Sequence, residues 1–227
     1  MSRARAVVLT GAGRYADPWH PFAETTPRLV EILAEVGIVA DVADDVDEGL
    51  ATLGSPDLLV VNAGDSWRGS DPGRAVPAAA RANLAAALDR GIGVFAVHAA
   101  LSSLRDYDVW REAVGGDWIV GTSGHPPIGP ADISIEQLAH PITAGLGDLS
   151  LVDERYTGLS VDPHVEVLAS HRHEGETFPL MWAREYGRSR IVYDALGHDS
   201  RSYDSPAHRE LIQRAALWAS GCLAPTS

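Results

Sequence analysis

The sequence predicts an α/β protein with a central, mostly parallel sheet and an antiparallel extension in its C-terminal half. Three observations carry this. Up to about residue 104, strand-length apolar runs alternate with helical stretches in a βαβαβαβα rhythm. The runs at 57–61 and 92–97 lack polar alternation, as strands covered on both faces do. From Asp106 onward the rhythm gives way to short strand-like runs.

In chain order, Arg5–Thr10 is a first strand, followed by a loop at 11–21. Phe22, Thr25, Leu29, Ile32, Leu33 and Val36 recur at helical spacing, and Gly37 stops the helix. Residues 38–42 form a second strand, 46–53 a short helix, and 57–61 a third strand ending in Asn62-Ala-Gly-Asp65. Pro77 opens an alanine-rich helix that Gly91 closes. The fourth strand, 92–97, runs into His98, and the parallel crossovers are expected to be right-handed. A short helix is expected at 110–114 and a rigid Gly/Pro loop at 121–130. Strands follow at 131–135, 149–152, 165–169, 179–183 and 190–194, with Glu174-Gly-Glu176 turning a hairpin. A last helix at 206–220 carries Leu211, Ile212, Ala215, Leu217 and Trp218. No linker or repeat interrupts residues 1–227, so one domain is expected.

The chain has 227 residues, with 18 Lys+Arg against 31 Asp+Glu and a formal net charge of -13. A nucleic-acid partner is therefore not expected, because phosphate binding needs clustered cations. No apolar segment reaches membrane-spanning length. The N-terminal basic and apolar residues are too short a run for a signal peptide. A cytoplasmic protein without a membrane partner is the expectation. A lone cysteine, Cys222, builds neither a disulfide framework nor a thiolate metal site within one chain. Trp110, Trp118 and Trp182 suit either the core or the interface of a homodimer.

Chemistry in open α/β sheets gathers at the carboxyl ends of strands. His98 sits there, at a strand–turn elbow followed by small residues, with Ser102 and Ser103 suited to capping backbone donors. His198 and Asp199 follow the 190–194 strand, and Asp153-Glu154-Arg155-Tyr156 follows the 149–152 strand. His125 lies in the proline-fixed loop. These residues fit a surface ion-pair network, but His98, His125, Glu154 and His198 also form a donor set for a divalent metal. Gly11-Ala-Gly13-Arg-Tyr-Ala16 has the form of a dinucleotide fingerprint. Pro18 and Pro21 fall where its helix should begin, so the better reading is a loop presenting Arg14, Tyr15, Asp17 and His20 to a cleft. Asp65, Trp67 and Arg68 would form a polar and aromatic wall. His171 and His173 are expected at a solvated hairpin tip, and no role is assigned to His140, His164 or His208.

The segments Gly-Val-Phe-Ala-Val-His98-Ala-Ala, His140-Pro-Ile-Thr-Ala-Gly-Leu146, Asp153-Glu154-Arg-Tyr156, Arg184-Glu-Tyr-Gly187 and Leu196-Gly-His198-Asp199 resemble the ThuA-like (trehalose utilisation) family over about residues 5–221. The resemblance implies a three-layer, flavodoxin-like fold of the class I glutamine amidotransferase-like superfamily. It places His98 where amidotransferases carry a nucleophilic cysteine, and His198 at their histidine, followed by Asp199 and Ser200 in place of a His-x-Glu. Thioester chemistry on glutamine is then not expected. The family is linked to catabolism of trehalose and related disaccharides, through 3-keto sugars. His98, His198, Glu154 and Asp199 become the catalytic candidates, for a hydrolase- or isomerase-type reaction. Tyr15, Trp19, Trp67 and Tyr156 would stack on sugar, and Asp17, His20, Asp65, Arg68 and Arg155 would bond its hydroxyls. The alternative is a non-catalytic sugar-binding or regulatory module on the same fold.

Overall fold

The structure, a computed structural model, describes residues 3–68, 75–136 and 139–223; part of the loop before Pro77, residues 69–74, lies outside them. The strands are β1 (Arg5–Thr10), β2 (Val39–Ala43), β3 (Leu58–Asn62), β4 (Gly93–Val97), β5 (Gly116–Asp117), β6 (Gly129–Ile135), β7 (Leu149–Asp153), β8 (Ser160–Val161), β9 (Glu166–His173), β10 (Glu176–Tyr186) and β11 (Ser189–Asp194). The helices are α1 (Phe22–Glu35), α2 (Val46–Ala51), α3 (Ala78–Arg90), α4 (Asp108–Val114) and α5 (Pro206–Ala219).

Among the described residues, nine strands form one sheet in the order β2-β1-β3-β4-β11-β10-β9-β6-β7, and β5 pairs with β8 apart from it. Neighbours from β2 to β11 are parallel, and those from β11 to β7 antiparallel. β3 and β4 are buried along their whole length, as their unbroken apolar runs require. From β1 the chain first steps outward to β2, then doubles back past β1 to β3. Right-handed crossovers therefore put α1 on one face and α2 and α3 on the other. α5 packs on β4, β11 and α1, and α2 packs on α3. The order reverses between β1 and β3, where the loops diverge and leave a crevice.

The predicted hairpin joins β9 to β10, with Glu174 and Gly175 both at positive φ (50° and 88°). Two-residue turns of that conformation match the twist of the paired strands. β9 extends farther than its apolar run indicated, which corrects the expectation for His171. Residues 168–171 of β9 are buried in succession, and the His171 ring lies inside with Nε2 2.9 Å from the Tyr156 carbonyl. Trp110 and Trp182 are also buried, their indole N–H groups donating to the carbonyls of Ala100 and Val114. Both belong to the core and not to a subunit interface. No helix among the described residues is long and apolar enough to cross a membrane.

Candidate functional site

The pairing of β11 beside β4 builds the site. Asp194 stands opposite Val97 in parallel register, so the chain leaves both strands at the same height. His98, one residue past Val97, has φ +45°, a left-handed conformation that costs a non-glycine residue about 1–2 kcal/mol. Two bonds hold it there. Tyr193 donates its hydroxyl to the His98 carbonyl at 2.9 Å, and His98 Nδ1 lies 2.6 Å from the Ala195 carbonyl. A carbonyl only accepts, so Nδ1 carries a proton. Its Nε2 then lies 2.9 Å from Tyr156 Oη, 3.3 Å from His198 Nδ1 and 3.5 Å from Glu154 Oε2.

Glu154 Oε2 is also 3.2 Å from His198 Nδ1, so one carboxylate oxygen serves both imidazoles. Its other oxygen, Oε1, lies 3.1 Å from His125 Nδ1, which is also 3.1 Å from the Pro126 carbonyl. Asp153 fixes this arrangement from beneath. Its buried carboxylate accepts the backbone N–H groups of Glu154 (2.7 Å), Gly197 (2.7 Å) and His198 (3.1 Å), tying the end of β7 to the loop after β11. From the loop after β1, His20 brings a third ring, with centroids 4.9 Å from His98 and 5.1 Å from His198. Asp17 holds His20 through Nδ1, leaving Nε2 free to face the other rings. Gly64 makes room for that clamp, since a Cβ there would stand 2.4 Å from Asp17 Oδ2.

Burial sets the protonation pattern against local partners. It would push the Glu154 carboxyl up, but the His198 and His98 imidazoles 3.2 and 3.5 Å from Oε2 outweigh it and hold the group well below the carboxylate range. His198 is buried too, yet the Glu154 carboxylate more than offsets that and raises it above an ordinary histidine. His20 goes the other way, because burial overrides the help of Asp17. Burial lifts the Tyr156 phenol far above its usual range, so it stays a protonated donor. Rings pushed apart in this way can divide acid and base roles between them.

A cleft of about 500 Å³ opens over the cluster, with His20, Glu154 and His198 at its floor and Trp19 and Trp118 on its walls. The sequence profile of a family described as trehalose utilisation, ThuA, matches residues 5–219. The chain belongs to the ThuA family. Among solved structures, it is similar to a protein of Parabacteroides merdae ATCC 43184 described as ThuA-like, at 17% identity and TM-score 0.82, over 100% of this chain and 93% of that one. It is also similar to a cytoplasmic protein of Salmonella typhimurium LT2, at 14% identity and TM-score 0.64, over 96% and 98% of the two chains. A glutamine amidotransferase from Thermotoga maritima shares the fold at 11% identity and TM-score 0.53, over 86% and 76%. No curated protein matches the chain in sequence.

On this ThuA fold, several residues read from the sequence stand elsewhere than expected. Arg14 and Tyr15 do not face the cleft, because the turn Gly13–Tyr15 folds inward onto the buried Asp47. Asp199 caps the turn Ser200–Asp204 and pairs with Arg201 instead of joining the histidines. Trp67 is exposed beside the cleft, its indole donating to Asp106, and Arg155 is not among the lining residues. Ser102 lines the cleft at the C-terminal cap of the turn His98–Leu101, and its hydroxyl donates to the Ala99 carbonyl in place of capping a backbone donor. Asp17, Trp19, His20, Asp65, Arg68 and Tyr156 do line it. In the four-residue donor cluster His20 takes the place given to His125: its ligand atom and those of His98, Glu154 and His198 lie within 4.8 Å of one another. His125 stays half-exposed on the far oxygen of Glu154. Trp118 and Asp153 were missed, the first as an interface candidate and the second as part of a charged surface knot. The signal for Asp153 was its place at a strand's carboxyl end beside the glutamate.

Proposed function

We propose that this ThuA chain is an enzyme of carbohydrate catabolism acting on a trehalose-related disaccharide in its 3-keto form. The observation that carries this reading is the sharing of Glu154 Oε2 by His98 and His198 at the floor of an open cleft. Proton transfer next to a ketone needs a base and an acid in reach of one carbon and its oxygen. His98 Nε2 supplies the base, its tautomer fixed by Ala195. His198, whose pKa the Glu154 carboxylate raises against the effect of burial, supplies the acid. The exposed indole of Trp19, with the Arg68 guanidinium 5.9 Å from its ring, offers a face for a second sugar ring at the mouth.

Glutamine hydrolysis is not part of the reading. The elbow carries an imidazole, and the sole cysteine, Cys222, is exposed past α5. The chain works as one domain on a small molecule in the cytoplasm, without nucleic-acid or membrane partners, and a homodimer fits equally well. The test is product formation from 3-keto-trehalose by purified protein, with ammonia release from glutamine as the counter-assay. Turnover is expected for the wild type and its loss in His198→Ala and His98→Asn, since asparagine tolerates the left-handed backbone. Full activity in both folded variants removes the acid–base assignment. Saturable sugar binding without turnover makes the chain a binding module.

A further inference from the structure

We propose that His98, His198, Glu154 and His20 form a binding site for one divalent ion of the zinc class. Metal bonds of 2.0–2.1 Å at tetrahedral angles separate neighbouring donors by about 3.3–3.4 Å. The three inner donor atoms stand at 3.2, 3.3 and 3.5 Å from one another, which is one face of such a tetrahedron. His20 is the fourth donor, more distant but within 4.8 Å of the rest. Three imidazoles and one carboxylate suit zinc and its neighbours, not magnesium or calcium, which prefer oxygen.

An independent observation points the same way. Metal-bound histidines donate their second ring nitrogen to a carbonyl or carboxylate, which fixes the coordinating lone pair. His98 gives Nδ1 to Ala195 and His20 gives Nδ1 to Asp17. The second oxygen of Glu154 faces His125 Nδ1 at 3.1 Å. His98 lies behind the cleft floor and the other three donors line it, so the ion would sit between protein interior and cleft, and a sugar oxygen would reach it as a fifth ligand. Tyr156 Oη, 2.9 Å from His98 Nε2, must turn aside as the ion enters. A bound ion occupies His98 Nε2 and His198 Nδ1, so it would replace their acid–base roles with its own as an electrophile for adjacent sugar oxygens; that role rests on the sugar substrate proposed above, and its binding does not.

The test uses the full chain, stripped with a chelator and titrated with Co²⁺ or Zn²⁺ alone. One equivalent is expected, with visible Co²⁺ bands of tetrahedral intensity, displaced by Zn²⁺ but not by Mg²⁺. Glu154→Gln and His20→Ala, checked as folded by circular dichroism, are expected to abolish stoichiometric binding. Asp17→Asn, one bond removed, should weaken it about 10–100-fold. His125→Ala should leave one equivalent bound. No stoichiometric binding by folded wild-type protein overturns the site, as does binding that survives His20→Ala and is lost in His125→Ala. Turnover by metal-free protein sinks the ion's role and leaves the sugar reading standing. A bound ion whose Co²⁺ spectrum does not respond to 3-keto-trehalose leaves the metal site standing and removes the sugar reading.

Discussion

Asp153→Asn is the most informative single change, because Asp153 is not among the cleft-lining residues and yet holds the site together. Its Oδ1 accepts the N–H groups of Glu154 and His198, and its Oδ2 accepts that of Gly197. The side chain is 1% exposed, so water cannot replace a lost partner. Asparagine keeps one acceptor oxygen and turns an NH₂ toward whichever N–H faces its other side. At least one charge-assisted bond is lost, leaving a buried donor unpaired, at about 2–3 kcal/mol. A chain of this size loses about 2–4 °C of Tm per kcal/mol, so the expected fall is about 4–12 °C. His198 and Glu154 should drift apart as well, lowering kcat more than it raises KM. Calorimetry and keto-sugar kinetics measure the two effects. Asp132→Asn, which loses only an exposed bond from Ser150, serves as the control and should change stability by less than about 0.5 kcal/mol. Equal Tm values for the two variants would refute the reasoning.

Gly197 has φ +110°, and a Cβ there would stand 2.6 Å from the Tyr203 hydroxyl oxygen. Gly197→Ala should therefore cost about 1–3 kcal/mol and displace His198, read as a lower Tm together with reduced kcat. His208 is fully buried 2.8 Å from Asp194. Burial would lower its pKa, but the Asp194 carboxylate more than offsets this and raises it above 6.5. Its stabilisation is complete below the unfolded value of 6.5 and is lost as pH rises through the higher folded value. The Tm gap between wild type and His208→Gln should thus be widest near about pH 6 and narrow toward about pH 9. Trp19, with its ring exposed at the cleft mouth, should raise KM when changed to Ala while leaving Tm and kcat close to wild type, as sugar-inhibition and melting curves would show.

The sequence carried the parallel half of the fold in its apolar runs. Residues 57–61 and 92–97 read as buried strands because nothing polar interrupts them, and β3 and β4 are buried throughout. Placing β11 beside β4 was not legible, since that pairing joins segments about a hundred residues apart and no local pattern encodes it. The site followed the same division. His98 and His198 stood out because each ends a strand, and strand ends share one edge of the sheet. His20 and His125 sit in loops, whose direction is set by tertiary contacts. The Asp17 clamp turns His20 inward, while His125 reaches Glu154 from the outer side. Tyr15 points away from the cleft because its hydroxyl, like that of Tyr107, donates to Asp47 buried behind it.

The central claim is that His98 and His198 act as one centre on a sugar in the cleft. Imidazole ¹⁵N NMR during titration with 3-keto-trehalose tests it most directly. The account predicts that His98 Nε2 and His198 Nδ1 shift together along one binding curve, with His98 Nδ1 remaining protonated. Shifts confined to one ring, or to neither at saturating sugar, would contradict it.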